Sequence, residues 1–369
     1  MMDIPFSLHK IKHSKLDELF DKCDEIQLNK NSTVNVFINM ENVVNKIKHN
    51  ELYTFNRGNL SDNVQELTSN IINLSAHYRY YFNKRKIKSN VYVYGQYPLI
   101  PSYIKNRNIL ENYRIRYYNM YTKDLKYSAV TETITNAIPI AKTILQYIEG
   151  VYFIEADFME SALIPMVVNS YHQQEGTSQG SYNFIVTMDR YEYQYVNYGY
   201  YILRPNPKNN AVILTKNNIV NQIKSDYSII SSELDFSPSN IPIIYSFLGN
   251  LPRSILNIKR FGIKKTLKLL QGAIDNQIIT PNTNHINMIM SFIQQSYCDE
   301  VKDNFDVTDL VSQFNRLSLN DKYYIYDQII DTFDNKSLRE LNDYYFPKFP
   351  LMLIEIDTFK NRKNPFDRK

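Results

Sequence analysis

Short β-favouring runs separated by helical stretches constrain this chain more than any other feature. Thr33 to Asn39 (TVNVFIN) is rich in β-branched residues, follows an Asn/Ser turn signal and gives way to helical spacing at Val43, Val44 and Ile47. The same grammar repeats, with an amphipathic helix over 67–84, a strand at Asn90–Tyr94, a helix over 134–147, a strand at Val151–Ile154, a helix over 157–170 and a strand at Asn183–Thr187. Strands joined through helices pair in parallel, because a parallel pair needs a long crossover connection. The expected fold class is α/β, a three-layer parallel sheet with helices on both faces. In such sheets ligands bind beyond the carboxyl ends of the strands, so candidate site residues are sought there.

The other segments read differently. Residues 1–30 form a polar leader with one helix, Ser14 to Gln27, whose Leu16, Leu19, Phe20 and Cys23 fall at helical spacing. The segment 171–181 (YHQQEGTSQGS) reads as an exposed loop, which makes His172 a surface residue. From Tyr191 to Pro205 tyrosines alternate with polar residues, the pattern of a strand or hairpin with one wet face. Beyond Ile241 strand signals fade and helical spacing takes over, at 245–249, 253–258, 264–274, 284–298, 307–317, 322–333 and 337–345. The expected organisation is a leader (1–30), an α/β domain (31–240), a helical module (241–299) and a helical extension (300–369).

Composition removes several classes. The 42 Lys+Arg against 38 Asp+Glu leave a formal net charge of +4 over 369 residues, so a basic footprint has to come from clustering. No apolar run approaches the roughly 18 residues of a membrane span, and the N-terminus lacks a signal-peptide layout, which points to an intracellular protein with no membrane partner. Cys23 and Cys298 stand far apart without metal-ligand spacing and read as packed thiols. With 31 Tyr, no Trp and only 9 Gly, the chain has the look of an AT-biased genome such as that of a virus or bacteriophage.

The order of the strand ends resembles the PIN-like 5′-nuclease superfamily, the flap endonucleases and bacteriophage 5′→3′ exonucleases, across residues 33–275. Where that family's first strand ends in an aspartate followed shortly by an asparagine, this chain has Asn39 and Asn42; where its second ends in an aspartate, this chain has Tyr94 and Gly95. Tyr103-Ile-Lys105-Asn-Arg107 is similar to the basic stretch that opens the family's helical arch. The family's Glu-Ala-Asp-Asp stands here as Glu155-Ala156-Asp157-Phe158, and its aspartate pair as Asp189-Arg190-Tyr191 with Gln194 farther on. Residues 248–270 (LGNLPRSILNIKRFGIKKTLKLL) resemble the helix-hairpin element that holds duplex DNA.

That resemblance implies metal-dependent phosphodiester hydrolysis, in which several carboxylates gather hard divalent ions. Here Asn39, Tyr94 or Gly95, Phe158, Tyr191, Asn250 and Arg253 stand where oxygen anions are needed, and Glu155, Asp157 and Asp189 remain. Unit charges about 4 Å apart interact by about 4 kcal/mol at an effective dielectric near 20, so each lost anion weakens a cation site steeply. The expectation is a degenerate site of Glu155, Asp157 and Asp189 with Asn39 and Asn250, holding no metal or one weakly bound Mg²⁺ or Mn²⁺. The plain alternative has Asp157 capping a helix, Asp189 at a strand-to-helix turn and Glu155 paired with a Lys or Arg. The nucleic-acid footprint implied is Lys259, Arg260, Gly262, Lys264 and Lys265, with Lys268, and Lys105 and Arg107, with Arg114 and Arg116, against two solvated basic faces as the plain alternative.

Together these features point to a catalytically impaired, nuclease-like protein that binds DNA, a protein partner or both in a viral assembly. Two rivals remain: an active, divergent 5′→3′ nuclease, and a structural subunit whose 300–369 extension docks a partner. In the second rival Phe305, Leu310, Phe314, Leu317, Tyr323, Tyr326, Ile329 and Phe333 line interaction stripes rather than an internal core.

Overall fold

The computed structural model describes residues 11–40, 60–95, 129–145, 148, 150–156, 159–178, 180–205, 211–229, 236–249, 255, 257–276 and 295–330. Six strands form one sheet: β1 (Thr33–Asn39), β2 (Lys88–Tyr94), β3 (Val151–Ile154), β4 (Ser181–Val186), β5 (Tyr200–Arg204) and β6 (Val212–Leu214). Their order is β3-β2-β1-β4-β5-β6, parallel throughout except for the antiparallel β5–β6 pair. The three-layer parallel α/β expectation therefore holds, with a short antiparallel edge added. Helix α1 (His13–Asp21) precedes the sheet, and α2 (Leu60–Lys84), α3 (Ala129–Leu145) and α4 (Ile164–Gln174) follow β1, β2 and β3. Next come a long 3₁₀ helix (Arg190–Tyr198) between β4 and β5, and α5 (Ile219–Asp226) after β6. The helical part contains α6 (Ile241–Leu248), α7 (Ile263–Asp275), α8 (Gln295–Thr308), α9 (Leu310–Arg316) and α10 (Leu319–Ile330).

Because successive side chains point to opposite faces of a strand, the two faces can be read off directly. One is aliphatic: Val34, Val36 and Ile38 of β1, Val91 and Val93 of β2, and Phe184 and Val186 of β4 pack beneath α1, α2 and α3. The other is built in rungs. Asn35 is in register with Asn90 and Asn183, and the three amides bond along the sheet, Asn90 Nδ2 to Asn35 Oδ1 at 3.2 Å and Asn35 Nδ2 to Asn183 Oδ1 at 3.0 Å. Asn183 Nδ2 donates onward to Asn169 Oδ1 of α4 at 3.4 Å. The next rung is aromatic, with Tyr92 stacked between Phe37 (centroids 5.0 Å) and Tyr152 (4.9 Å). A slip of one residue would send the amides into the aliphatic face, so these rungs pin the register.

Several local expectations are corrected. The tyrosine run is not a hairpin with a wet face: residues 190–198 coil into a 3₁₀ helix that buries Tyr191, Tyr193 and Tyr195, and only 200–204 is a strand. His172 is not a loose surface residue, because α4 runs on to Gln174 and packs the ring half-buried against the sheet. Thr177 Oγ1 donates to the His172 carbonyl at 3.2 Å and accepts from Nδ1 at 3.0 Å, so Nε2 receives the Tyr92 hydroxyl at 2.6 Å. Burial pushes the His172 imidazole below its ordinary value, consistent with that neutral tautomer. The leader helix ends at Asp21 rather than Gln27, and 307–317 is broken by Asp309, whose carboxylate caps α9 through Ser312 N–H at 3.3 Å. Cys23 is half-buried against the aliphatic core as a packed thiol, pushed up by burial.

The described part of the helical extension, as far as residue 330, packs on the body. Helix α8 lies on α6, and α10 lies on α4 and the edge strand β3. Phe305, Leu310, Tyr326 and Ile329 are buried in one continuous core with the sheet, and Phe314 and Leu317 pack against it, whereas Tyr323 is 54% exposed. Phe333 and the 337–345 helix lie outside the described residues. Among those residues no helix is long and apolar enough to cross a membrane.

Candidate functional site

The carboxyl ends of β1 and β2 place Asn39 and Tyr94 side by side as register partners. Both side chains are fully buried and both donate to one atom, Oε1 of Glu192: Asn39 Nδ2 at 2.6 Å and the Tyr94 hydroxyl at 2.8 Å. Glu192 is itself fully buried and comes from the first turn of the 3₁₀ helix rather than from a strand.

Local chemistry explains that delivery. As β4 ends, Asp189 N–H donates to Thr187 Oγ1 at 3.0 Å, and Asp189 Oδ1 accepts from Tyr191 N–H at 2.9 Å as an N-cap. Gln194 then anchors the helix from below, donating to the carbonyls of Tyr191 (2.8 Å) and Thr308 (3.0 Å) and accepting from Leu310 N–H at 3.1 Å. Gly199 closes the helix in the left-handed region, at φ 77°, which glycine adopts without a Cβ penalty.

The other acidic candidate is engaged elsewhere. The Glu155 carboxylate forms an ion pair with Lys142 of α3. Its backbone is held by α10: Glu155 N–H donates to Gln328 Oε1 at 2.9 Å, and Gln328 Nε2 donates to the Glu155 carbonyl at 2.8 Å. One side-chain amide thus finishes the edge strand as a neighbouring strand would. Asp157, Asn250, Arg253 and Asn42 lie outside the described residues, as do Lys105 and Arg107 with the rest of the arch-like segment.

Among the described residues, no three His, Cys, Asp or Glu side chains stand close enough to hold a metal ion. The donor set explains this physically. A hard divalent cation needs converging oxygen lone pairs, yet Asn39 and Tyr94 turn polar hydrogens toward the buried Glu192. These described residues do not fit a resident Mg²⁺ or Mn²⁺.

A second polar cluster lies at the end of β5. The buried Asp226 carboxylate accepts from Arg190 Nε (3.1 Å), Arg204 Nη1 (2.8 Å) and Gln222 Nε2 (2.8 Å). Arg190 also covers the Tyr227 ring at 4.6 Å. Farther along, α7 buries Thr266, Leu267, Leu270 and Ala273, which leaves Lys264, Lys265 and Lys268 exposed on its outer side. Lys259 and Arg260 are exposed on the preceding turn, Gly262 is the N-cap, and Lys265 Nζ sits 4.1 Å over the Phe261 ring. Five exposed cations thus lie on the turn before α7 and along its first two turns, beside a helix N-terminus whose dipole favours an anion.

No protein-family model and no curated protein matches the chain. Solved structures do match. The architecture, a mostly parallel six-stranded sheet with flanking helices and helices at its C-terminal end, is similar to the fold of a 5′-exonuclease. The T5 5′-exonuclease with bound divalent zinc ions aligns at a TM-score of 0.50 and 10% identity, covering 81% of this chain and 99% of that one. The bacteriophage T5 D15 protein co-crystallised with metal ions aligns at 0.49 with 10% identity over the same shares. At such identity the likeness is one of fold.

Sequence reasoning missed Glu192, Lys142, Gln194 as an anchor, and Gln328. For Glu192 a signal existed. Asp189-Arg-Tyr-Glu192 has the N-cap and third-position acid of a helix start, but the alternating tyrosines that follow carry the period of a strand or hairpin.

Proposed function

We propose that this protein uses a nuclease fold to hold DNA without cleaving it. One observation carries the reading: the two adjacent strand ends that finish in aspartates in the resembling nucleases finish here in Asn39 and Tyr94. Both donate to the buried Glu192. Donor hydrogens converging on one carboxyl make a structural knot, and they replace the anionic pocket that would draw in a cation. The exposed cations around the N-terminus of α7 support a phosphate-backbone contact, sequence-independent and dependent on salt. A protein partner, within a viral replication or structural complex, would meet the extension at the exposed Leu319, Tyr323 and Tyr324 of α10.

The test is to mix the purified chain with flap, duplex and single-stranded DNA in Mg²⁺ or Mn²⁺, scoring binding and cleavage in parallel. Binding without cleavage is expected. Robust cleavage that disappears in Asp189→Ala overturns the reading in favour of a divergent active nuclease. Replacing Lys264 and Lys265 together by Gln is expected to lower affinity for all sequences and to flatten the slope of log K against log salt by about 2. An unchanged slope removes α7 from the interface.

A further inference from the structure

The leader helix is fastened to the body by a reciprocal pair of histidines. His13 of α1 donates from Nε2 to the His77 carbonyl of α2 at 3.2 Å, and His77 donates from Nε2 to the Ile11 carbonyl at 2.7 Å. The two imidazoles stack face to face, with centroids 4.2 Å apart and planes 29° apart. Both acceptors are carbonyls, so each Nε2 carries the proton and each Nδ1 is the position a second proton must take.

The surroundings oppose a second charge. Among the described residues, Lys84, Arg85 and the phenols of Tyr78, Tyr80 and Tyr81 face the pair from α2, and Asp17 faces it from α1. The Asp17 carboxylate is already engaged by Arg85 and by the Tyr81 hydroxyl at 2.8 Å. One imidazolium would be tolerated, since its stronger donation to the carbonyl offsets part of its burial. Two imidazoliums at this spacing repel each other and the neighbouring cations.

We propose that His13 and His77 form an acid-sensitive latch: when both imidazoles are protonated, α1 leaves α2 while the rest of the leader stays bound. The residues after α1 have attachments of their own. The Tyr201 hydroxyl donates to the Glu25 carbonyl at 3.1 Å, the Tyr182 hydroxyl to the Gln27 carbonyl at 3.2 Å, and Ile26 is buried. Residues 22–24 therefore act as the hinge. Opening exposes the buried Leu16 and the Phe20 ring now set against Phe184. It also widens an open cavity of about 1000 Å³ lined by Asp17, Phe20, Cys23, Tyr81, Arg85 and Ile87.

The direction with pH follows from burial. Desolvation holds folded His13 below its ordinary value of 6.5, so the folded chain binds fewer protons there than the unfolded one. The stabilisation is present above the unfolded value and drains as pH falls through it.

Hydrogen exchange of the full chain at pH 7.5 and 5.5, corrected for intrinsic rates, tests the latch. Amides of 13–21 are expected to lose protection by about tenfold or more. Amides of α7 are expected to keep theirs. His13→Gln and His77→Gln retain a neutral donor and are expected to hold α1 closed at pH 5.5. The latch is overturned by unchanged protection in the native chain, by loss in every helix together, or by the same loss in both Gln variants. Should those variants not fold, imidazole titration of the native chain decides: a second proton taken up together with the opening of α1 supports the latch, and two independent titrations near 6.5 end it.

Discussion

Near the amino ends of β2, β1 and β4, three asparagines bond to one another along the sheet; at the carboxyl ends, Asn39 and Tyr94 turn instead to Glu192, an acid brought in from a 3₁₀ helix. Both groups are polar and on the same face, and all their members are buried except the half-buried Asn90. They differ in how many elements they join. The amide rung is completed by three neighbouring strands and α4, so it fixes register. The carboxyl-end group exists only if the chain leaving β4 is capped at Asp189 and anchored by Gln194 to the corner between α8 and α9. A rung that strands can finish alone follows from alternation. A rung that needs a visitor depends on the whole tertiary fold.

The comparison can be broken by substitution. Glu192→Ala is expected to have the largest effect, a loss of about 3 kcal/mol in urea unfolding, because two buried donors lose a shared acceptor. A loss no larger than that from disrupting the amide rung would show that the acid is not a hub. Asn35→Ala comes next, at about 2 kcal/mol, since it strands the Asn90 amide and the Asn183 carbonyl oxygen in the sheet interior. Replacing all three asparagines with apolar residues of similar size should recover part of that loss while permitting strand slippage, visible as doubled amide resonances. Sharp single resonances in that triple variant would mean that the aromatic rung alone sets register. Tyr94→Phe is the smallest change, about 1 kcal/mol, because Asn39 still donates to Glu192. A loss equal to that of Glu192→Ala would place the hub on the phenol instead.

Particular residues show how much could be read without coordinates. The first four parallel strands were legible because each is a short β-branched or aromatic run between helical periods, and burial on both faces leaves little else for such runs to do. Asp189 at a turn and Glu155 beside a lysine were legible as the plain use of those acids, and both are seen. The tyrosines of 191–198 misled. Their alternation matches a strand, yet the Asp189 cap and Gly199 enclose a 3₁₀ helix that buries three of their rings. β6 was missed because three residues carry too little pattern.

What the sequence determined by itself is local and periodic: the identities of most strands and helices, the parallel sheet, the basic outer side of α7, and the absence of aspartate at the ends of β1 and β2. What only the tertiary structure decided is which distant groups meet: Glu192 with Asn39 and Tyr94, Gln328 with the end of β3, His13 with His77. The physical reason is range. Hydrophobic alternation and capping act over a few residues and leave their period in the chain, whereas a buried hydrogen bond between residues 153 apart leaves no period at all.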